Sequence, residues 1–153
     1  FMPYLGGERT PHNDAQIRAG FLHLGHATDR NAMVRAVLEG VTHALRDSFD
    51  AMAMTGTKID SLIAVGGGSK SDYWLQAIAT SLDMPIQLPT AGDFGAALGA
   101  ARLGRMAATG AGAEIAVAPP IFRVIEPDSK LVPAFADAHA RYSDTYRAIK
   151  SLR

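Results

Sequence analysis

One stretch decides the fold: SLIAVGGGSKSDYWLQ, residues 61–76. Leu62–Val65 is a short apolar run that contains β-branched residues, and this pattern predicts a fully buried strand. Three glycines end the run, and from Trp74 onward the apolar residues recur at helical spacing. The predicted order is therefore strand, glycine turn and helix. The residues predicted to share one face of that helix are Trp74, Ala77, Ile78, Ser81 and Leu82.

The glycine turn, Gly66–Gly68, lacks side chains at the point where the predicted strand meets the helix. Without a Cβ atom the backbone can adopt positive φ angles and can approach a ligand closely. The helix N-terminus beyond the turn favours a nearby anion by about 0.3–1 kcal/mol. Phosphorylated ligands collect at this location in open α/β sheets, so the turn is a candidate phosphate site. A tight turn without a ligand is the alternative that the glycines alone leave open.

Two common phosphate-binding loops do not fit this stretch. A P-loop requires a glycine immediately before Lys70-Ser71, but Ser69 is there, and Ala64 stands where the first glycine belongs. The dinucleotide fingerprint requires a third glycine at position 71, which is a serine. An NAD-binding domain is therefore a distant alternative, and the strand that follows has no convincing acidic residue at its end.

Composition describes a globular chain with no strong charge. The 153 residues are 48% apolar and 20% charged, and fifteen basic residues balance fifteen acidic ones. This neutrality gives no electrostatic reason to expect nucleic acid or a membrane as a partner. The absence of cysteine excludes disulfides and cysteine-based metal sites, and it fits a cytoplasmic location. The abrupt start at Phe1-Met2-Pro3 leads us to expect a fragment.

The remainder of the chain alternates short strands with helices. This alternation predicts βαβ units and a sheet that is at least partly parallel. Three strands make a narrow sheet, so we expect further strands, missing from this chain, to complete it. The predicted elements are an irregular loop at 3–18, a strand at 19–24, a helix at 29–54 capped by Thr28 or Asp29, the strand at 62–65, a helix at 70–82, a strand at 84–88, a helix at 94–107, a surface loop at 109–133 and a final helix at 134–152.

Several conspicuous residues have simple structural explanations. The glycines near position 95 are interpreted as part of a close-packed helix rather than as a second ligand loop, and Asp93 as the cap of that helix. Tyr73 and Trp74 are predicted to lie in the core rather than to stack on a base. His23 and His26 have no carboxylate at usable spacing, so no metal site is assigned. Four polar loop residues are left open between a cleft-edge, a subunit-contact and a structural role: Glu8, Arg9, Thr10 and His12.

Five sequence runs, in this order, resemble the C-terminal part of the FGGY family of carbohydrate kinases. They are GERTPHND at 7–14, AGFLHLG at 19–25, RAVLEGV at 35–41, VGGGSKSDYWLQAIA at 65–79 and GDFGAALGAARLG at 92–104. The resemblance extends to about residue 133. It departs from the family pattern at His23, where glycine is usual, and at Ala32, where a polar residue is usual.

This resemblance implies an α/β fold, namely the C-terminal domain of an actin-like (ribonuclease H-like) ATPase, with an incomplete mixed sheet flanked by helices. The whole chain, 1–153, is then the nucleotide-binding domain without its first strands. By the same resemblance, Gly66, Gly67 and Gly68 approach the ribose and phosphate of ATP. Ser71 faces the adenine side, and Gln76, one turn further along, is a further cofactor-binding candidate.

The activity implied by the resemblance is ATP-dependent phosphorylation of a sugar hydroxyl in the presence of Mg²⁺, in a homodimer. D-xylulose is the expected sugar, and ribulose, gluconate and glycerol are alternatives, as is a non-catalytic nucleotide-binding module of the same fold. The family's catalytic base, sugar-binding residues, phosphate-gripping hairpin and magnesium ligands are expected outside this chain. No catalytic residue is therefore assigned, and the isolated chain is expected to be inactive.

Overall fold

A computed structural model describes residues 1–90, 92 and 95–152. The described part contains no helix long and apolar enough to cross a membrane. The helices and strands are α1 (Arg30–Met54), β1 (Leu62–Ile63), α2 (Asp72–Leu82), β2 (Ile86–Pro89), α3 (Gly95–Thr109), β3 (Ile121–Ile125) and α4 (Val132–Lys150), with short 3-10 helices at Gly67–Lys70 and Ala113–Ile115.

Local signals set the bounds of α1. The carboxylate of Asp29 accepts a hydrogen bond from the backbone N–H of Ala32 at 2.7 Å, which satisfies one of the free donors of the first turn. The helix ends before Gly56, whose φ of +82° cannot continue it. The predicted helix at 29–54 is thus confirmed, with Asp29 as its cap. Thr28 instead accepts a hydrogen bond from the backbone N–H of Gly25 at 3.0 Å.

The three strands form one mixed sheet in the order β1-β2-β3. β1 pairs with β2 in parallel, with Ile63 opposite Gln87, whereas β2 pairs with β3 antiparallel, with Ile86 opposite Ile125. The parallel pair is the βαβ unit that the sequence predicted, since α2 is the crossover between β1 and β2. Among the described residues, β1 therefore lies at one edge of the sheet and β3 at the other.

The third strand is not the one predicted. Residues 109–133 were predicted to be a surface loop, which is wrong, because Ile121–Ile125 forms β3. The predicted strand at 19–24 is also wrong. Gly20 makes a single bridge to Met2, with N–H to carbonyl distances of 3.0 and 3.1 Å, and His23 has a φ of +57° that interrupts extended backbone.

One hydrophobic cluster joins α2 to the sheet. Five buried residues form it: Leu75, Ala79, Ile86, Leu88 and Ile125. β1 contributes less than predicted, since Ile63 is 53% exposed and the expected full burial of this strand is wrong. The reason is its position at the edge, where no described strand covers it.

A second cluster fixes α4 to the first loop. Its buried members are Met2, Tyr4, Ile17, Tyr142 and Tyr146. The hydroxyl of Tyr142 donates to that of Tyr4 at 2.7 Å, and the hydroxyl of Tyr146 donates to Asp14 at 3.1 Å. His12 stacks on the Tyr146 ring with centroids 3.7 Å apart. The loop at 3–18 is irregular, as predicted, but its side chains are held by α4.

His43 of α1 is buried against α4, and its burial makes the free energy of unfolding depend on pH. Its ring lies 5.9 Å from that of His139 and 5.4 Å from that of Tyr142. Burial, followed by the neighbouring His139, lowers the pKa of His43 from 6.5 to about 4. The unfolded chain therefore takes up a proton before the folded one does, and stability falls as the pH drops from 6.5 toward 4.

We expect acidification across this window to cost roughly 1–3 kcal/mol of unfolding free energy through His43. His43→Leu removes the titrating group, so its stability should vary less with pH than that of the wild type. Urea unfolding at pH 7.5, 6, 5 and 4.5 measures this. His26→Leu makes the same substitution in an exposed loop and is the matched control. Identical slopes for the wild type and His43→Leu would contradict the assignment.

Candidate functional site

The glycine turn at the end of β1 is tied to a second glycine segment. Gly66 has a φ of +87°, and its N–H donates to the carbonyl of Gly92 at 2.8 Å. The Gly66 carbonyl in turn accepts hydrogen bonds from the N–H of Ser69 at 3.1 Å and from its hydroxyl at 2.7 Å. The two segments that follow β1 and β2 thus meet at the carboxyl ends of these parallel strands.

The three glycines of the turn differ in what surrounds them. A Cβ atom built on Gly66 or Gly67 would meet nothing within 4 Å, whereas one on Gly68 would lie 2.6 Å from Cζ3 of Trp74. Gly66 and Gly67 therefore leave open backbone that a ligand could approach. Gly68 is explained by the packing of the indole ring against it, with no ligand required.

Ser71 lies directly at this turn. Its N–H donates to the carbonyl of Gly68 at 3.2 Å, and its hydroxyl caps α2 by accepting from the N–H of Trp74 at 3.3 Å. Gln76, the last cofactor-binding candidate, is directed elsewhere, because its amide donates to the carbonyl of Glu126, just after β3, at 2.7 Å. The structure brings Ser71 and the three glycines together and holds Gln76 against the end of β3.

A cleft of about 430 Å³ opens beside the turn, over the carboxyl ends of β1 and β2. Both cations on its wall, Lys70 and Arg123, favour an anionic ligand, although Arg123 already donates to the carboxylate of Asp72 at 2.8 Å. This pair is solvent-exposed and contributes little to stability. The lining residues are Ala64, Ser69, Lys70, Asp72, Leu88, Pro89, Gly92, Phe122 and Arg123.

Sequence reasoning missed part of this wall. Phe122 and Arg123 belong to β3, which was predicted to be loop. Gly92 was assigned to a close-packed helix, but α3 has no buried residue among those described, so that interpretation of its small residues is wrong. The spacing of Gly92 and Gly95 was the signal that could have identified the second segment. The predicted cap Asp93 lies outside the described residues.

Side chains at the start of α2 connect it to α1. The Tyr73 hydroxyl donates to the carboxylate of Glu39 at 2.8 Å, which also accepts from Arg35 at 2.7 Å. Partial desolvation and, secondarily, this hydrogen bond raise the pKa of Tyr73 above its ordinary value. Tyr73 is 46% exposed, so its predicted place in the core is wrong. Trp74 is half-buried, and its indole N–H donates to Thr42 at 3.1 Å.

The mixed sheet, its flanking helices and the glycine turn define a C-terminal domain of the actin-like ATPase fold, as predicted from the sequence. The model of the FGGY family of carbohydrate kinases, C-terminal domain, matches residues 1–108. The chain therefore belongs to the FGGY family.

Three known kinases show how similar this chain is to members of the family in sequence and structure. The chain is 38% identical to a xylulose kinase of Escherichia coli K12 over 154 aligned positions, which cover 99% of the chain and 32% of that protein. A solved structure of a xyloylose kinase from Brucella ovis shares 55% identity at a TM-score of 0.88, over 99% of this chain and 32% of that one. A gluconate kinase from Lactobacillus acidophilus shares 30% identity at a TM-score of 0.77, over 97% and 30%. The chain thus spans about a third of the length of each.

The contrast between neighbouring glycines gives a direct test of the turn geometry. Gly68→Ala places a methyl group against the Trp74 ring and should lower the unfolding free energy by about 1–3 kcal/mol. Gly67→Ala enters open space and should change it by about 0.5 kcal/mol or less. Denaturant unfolding of the two variants measures the difference, and equal losses would mean that the ring does not pack on Gly68.

Proposed function

We propose that this chain is the nucleotide-binding domain of an ATP-dependent sugar kinase that converts D-xylulose to D-xylulose 5-phosphate. The observation that carries the proposal is the open backbone of Gly66 and Gly67, at the carboxyl end of β1, in a chain of the FGGY family. The choice of sugar is supported by two similar proteins, one named xylulose kinase at 38% identity and one named xyloylose kinase at 55% identity.

In this proposal the glycine turn contacts the ribose and the inner phosphate of ATP through its main chain. Ser71 lies on the adenine side, at the start of α2. Gln76 is the weaker proposed contact, because its amide already donates to the carbonyl of Glu126. Lys70 adds positive charge to the wall of the cleft, where it would face a phosphate. These contacts bind and orient ATP, and positioning of this kind is the main protein contribution to phosphoryl transfer.

The remaining machinery is assigned to residues outside this chain. A carboxylate base would accept the sugar hydroxyl proton as that oxygen attacks the γ-phosphorus and ADP leaves. Residues 1–90, 92 and 95–152 contain no group of three His, Asp or Glu side chains that could hold a metal ion. The proposal places the Mg²⁺ ligands outside the chain as well, as the family resemblance implies. It also includes a homodimer and a cytoplasmic location, where ATP is available.

A different sugar is the second candidate, because a gluconate kinase also matches the chain at 30% identity with a TM-score of 0.77. Steady-state kinetics of the full-length protein on D-xylulose, D-ribulose, gluconate and glycerol would decide between these substrates. The highest kcat/KM should be for D-xylulose, and a preference for any of the others would correct the substrate while leaving the kinase proposal intact.

Gly67→Val tests the nucleotide contact in the full-length kinase. A valine side chain on the open backbone would hold ATP away from the main chain, so we expect the KM for ATP to rise at least about tenfold. The KM for the sugar should change less than about twofold, because no sugar contact is assigned to the turn. Initial rates with each substrate varied in turn measure both constants.

Gly104→Val is the matched control for Gly67→Val. It makes the same chemical change on α3, where an added Cβ also meets nothing within 4 Å. Both KM values should stay close to those of the wild type. Equal losses of ATP and sugar affinity in Gly67→Val would argue against a nucleotide site at the turn.

The 153-residue chain alone should transfer no phosphoryl group to D-xylulose, since the base and the sugar site are assigned elsewhere. A coupled assay for ADP, with full-length protein as the positive control, checks this. Turnover that persists in the purified chain and is lost in its Gly67→Val variant would overturn the division of roles.

A further inference from the structure

Trp74 contacts the glycine turn, the N-terminal cap of α2 and helix α1. Its six-membered ring packs against the backbone of Gly68, where an added Cβ would lie 2.6 Å from Cζ3 and 3.2 Å from Cε3. The backbone N–H of Trp74 donates to Ser71, the cap of α2, at 3.3 Å. The indole N–H reaches across to α1 and donates to the hydroxyl of Thr42 at 3.1 Å.

Thr42 is a rigid partner for the indole. It is fully buried in α1, and its hydroxyl donates to the carbonyl of Leu38 at 2.9 Å while accepting from Trp74. Both capacities of the hydroxyl are thus used inside the protein. Removing the hydroxyl would leave the partly buried indole N–H without this acceptor, which costs more than the loss of an exposed hydrogen bond.

We infer that Trp74 is a positioning residue for nucleotide binding. Its hydrogen bond to Thr42 fixes the position of the indole ring, and the ring in turn fixes the position of the glycine turn that packs on it. The inference rests on the proposed function, because it assigns ATP to that turn. It adds a residue pair outside the cleft, the buried Thr42 and the half-buried Trp74, that controls ATP affinity without touching ATP.

The coupling follows from close packing. A ring that is in contact with Gly68 cannot tilt or slide without displacing the turn or opening a gap beneath it. Gly66 and Gly67 are joined to Gly68 through the backbone of the same short turn. A small shift of the ring is therefore transmitted to the backbone proposed to bind ATP, and misplacement of a binding group by a fraction of an ångström weakens the contact.

The test is a set of Thr42 and Trp74 variants in the full-length kinase. Thr42→Val keeps the shape but removes the acceptor, and we expect the KM for ATP to rise about threefold to tenfold with the sugar KM unchanged. Thr42→Ser keeps the hydroxyl and should restore a KM for ATP within about twofold of the wild type. Trp74→Phe removes the donor and should raise the KM for ATP at least as much as Thr42→Val.

The double variant shows whether the shared hydrogen bond carries the effect. If it does, Thr42→Val should add little in the Trp74→Phe background, because the bond is already absent.

Arg46→Met is the control for general loosening of the two helices. It removes the hydrogen bond from Arg46 of α1 to the carbonyl of Ser81, at the other end of α2, and should lower stability without changing the KM for ATP.

Gly67→Val, measured alongside, separates this inference from the proposed function. A raised KM for ATP in Gly67→Val together with a wild-type value in Thr42→Val and Trp74→Phe would overturn the inference alone. Unchanged values in all three would overturn the nucleotide site itself. An equal rise of the ATP and sugar constants in Thr42→Val, or the same rise in Arg46→Met, would assign Trp74 a purely structural role.

Discussion

A single indole ring determines how β1, the glycine turn and the two helices beside it fit together. Trp74 occupies the space that any side chain at position 68 would need, so the turn can pass over it only as glycine. The same residue is bound to the cap of α2 and, through Thr42, to the middle of α1. The backbone is thus open at Gly66 and Gly67 and supported by the indole ring at Gly68.

The site is therefore built mainly from main chain, and this has chemical consequences. Backbone N–H groups do not titrate and have little freedom to rearrange, so a ligand bound by them meets donors that are already in place. The hydrogen bond from Gly66 to Gly92 holds the two glycine segments together at the ends of both parallel strands. Side-chain charge is secondary, since Arg123 on the cleft wall already pairs with Asp72.

The sequence was most informative where a local pattern and the tertiary fold agree. The periodic helices and the strand, turn and helix around Gly66–Gly68 were predicted because each depends on residues close in the chain. The strand at Ile121–Ile125 was missed, because its partner, β2, is about thirty residues away and its own flanks are rich in proline and glycine. The strand predicted at 19–24 failed for the converse reason: a strand needs a partner strand, and Gly20 meets only Met2 in an isolated bridge. Trp74 could not be identified as the support of the turn, since packing on Gly68 is visible only in three dimensions.

Strand β1 is short and exposed in this chain, and this bears on the proposed kinase. Ile63 and Val65 are 53% and 56% exposed, and β1 is only two residues long, although it carries the turn on which the site depends. An apolar groove of about 480 Å³ runs beside it, between α1 and α2, and includes the Trp74 ring among its lining residues. A strand from the rest of the kinase that paired with β1 would cover these side chains and extend the strand's hydrogen bonding. The same groove reaches Trp74, so a strand paired with β1 would also restrain the ring that supports the turn. The complete sheet would therefore bind ATP more tightly than the sheet of this chain alone.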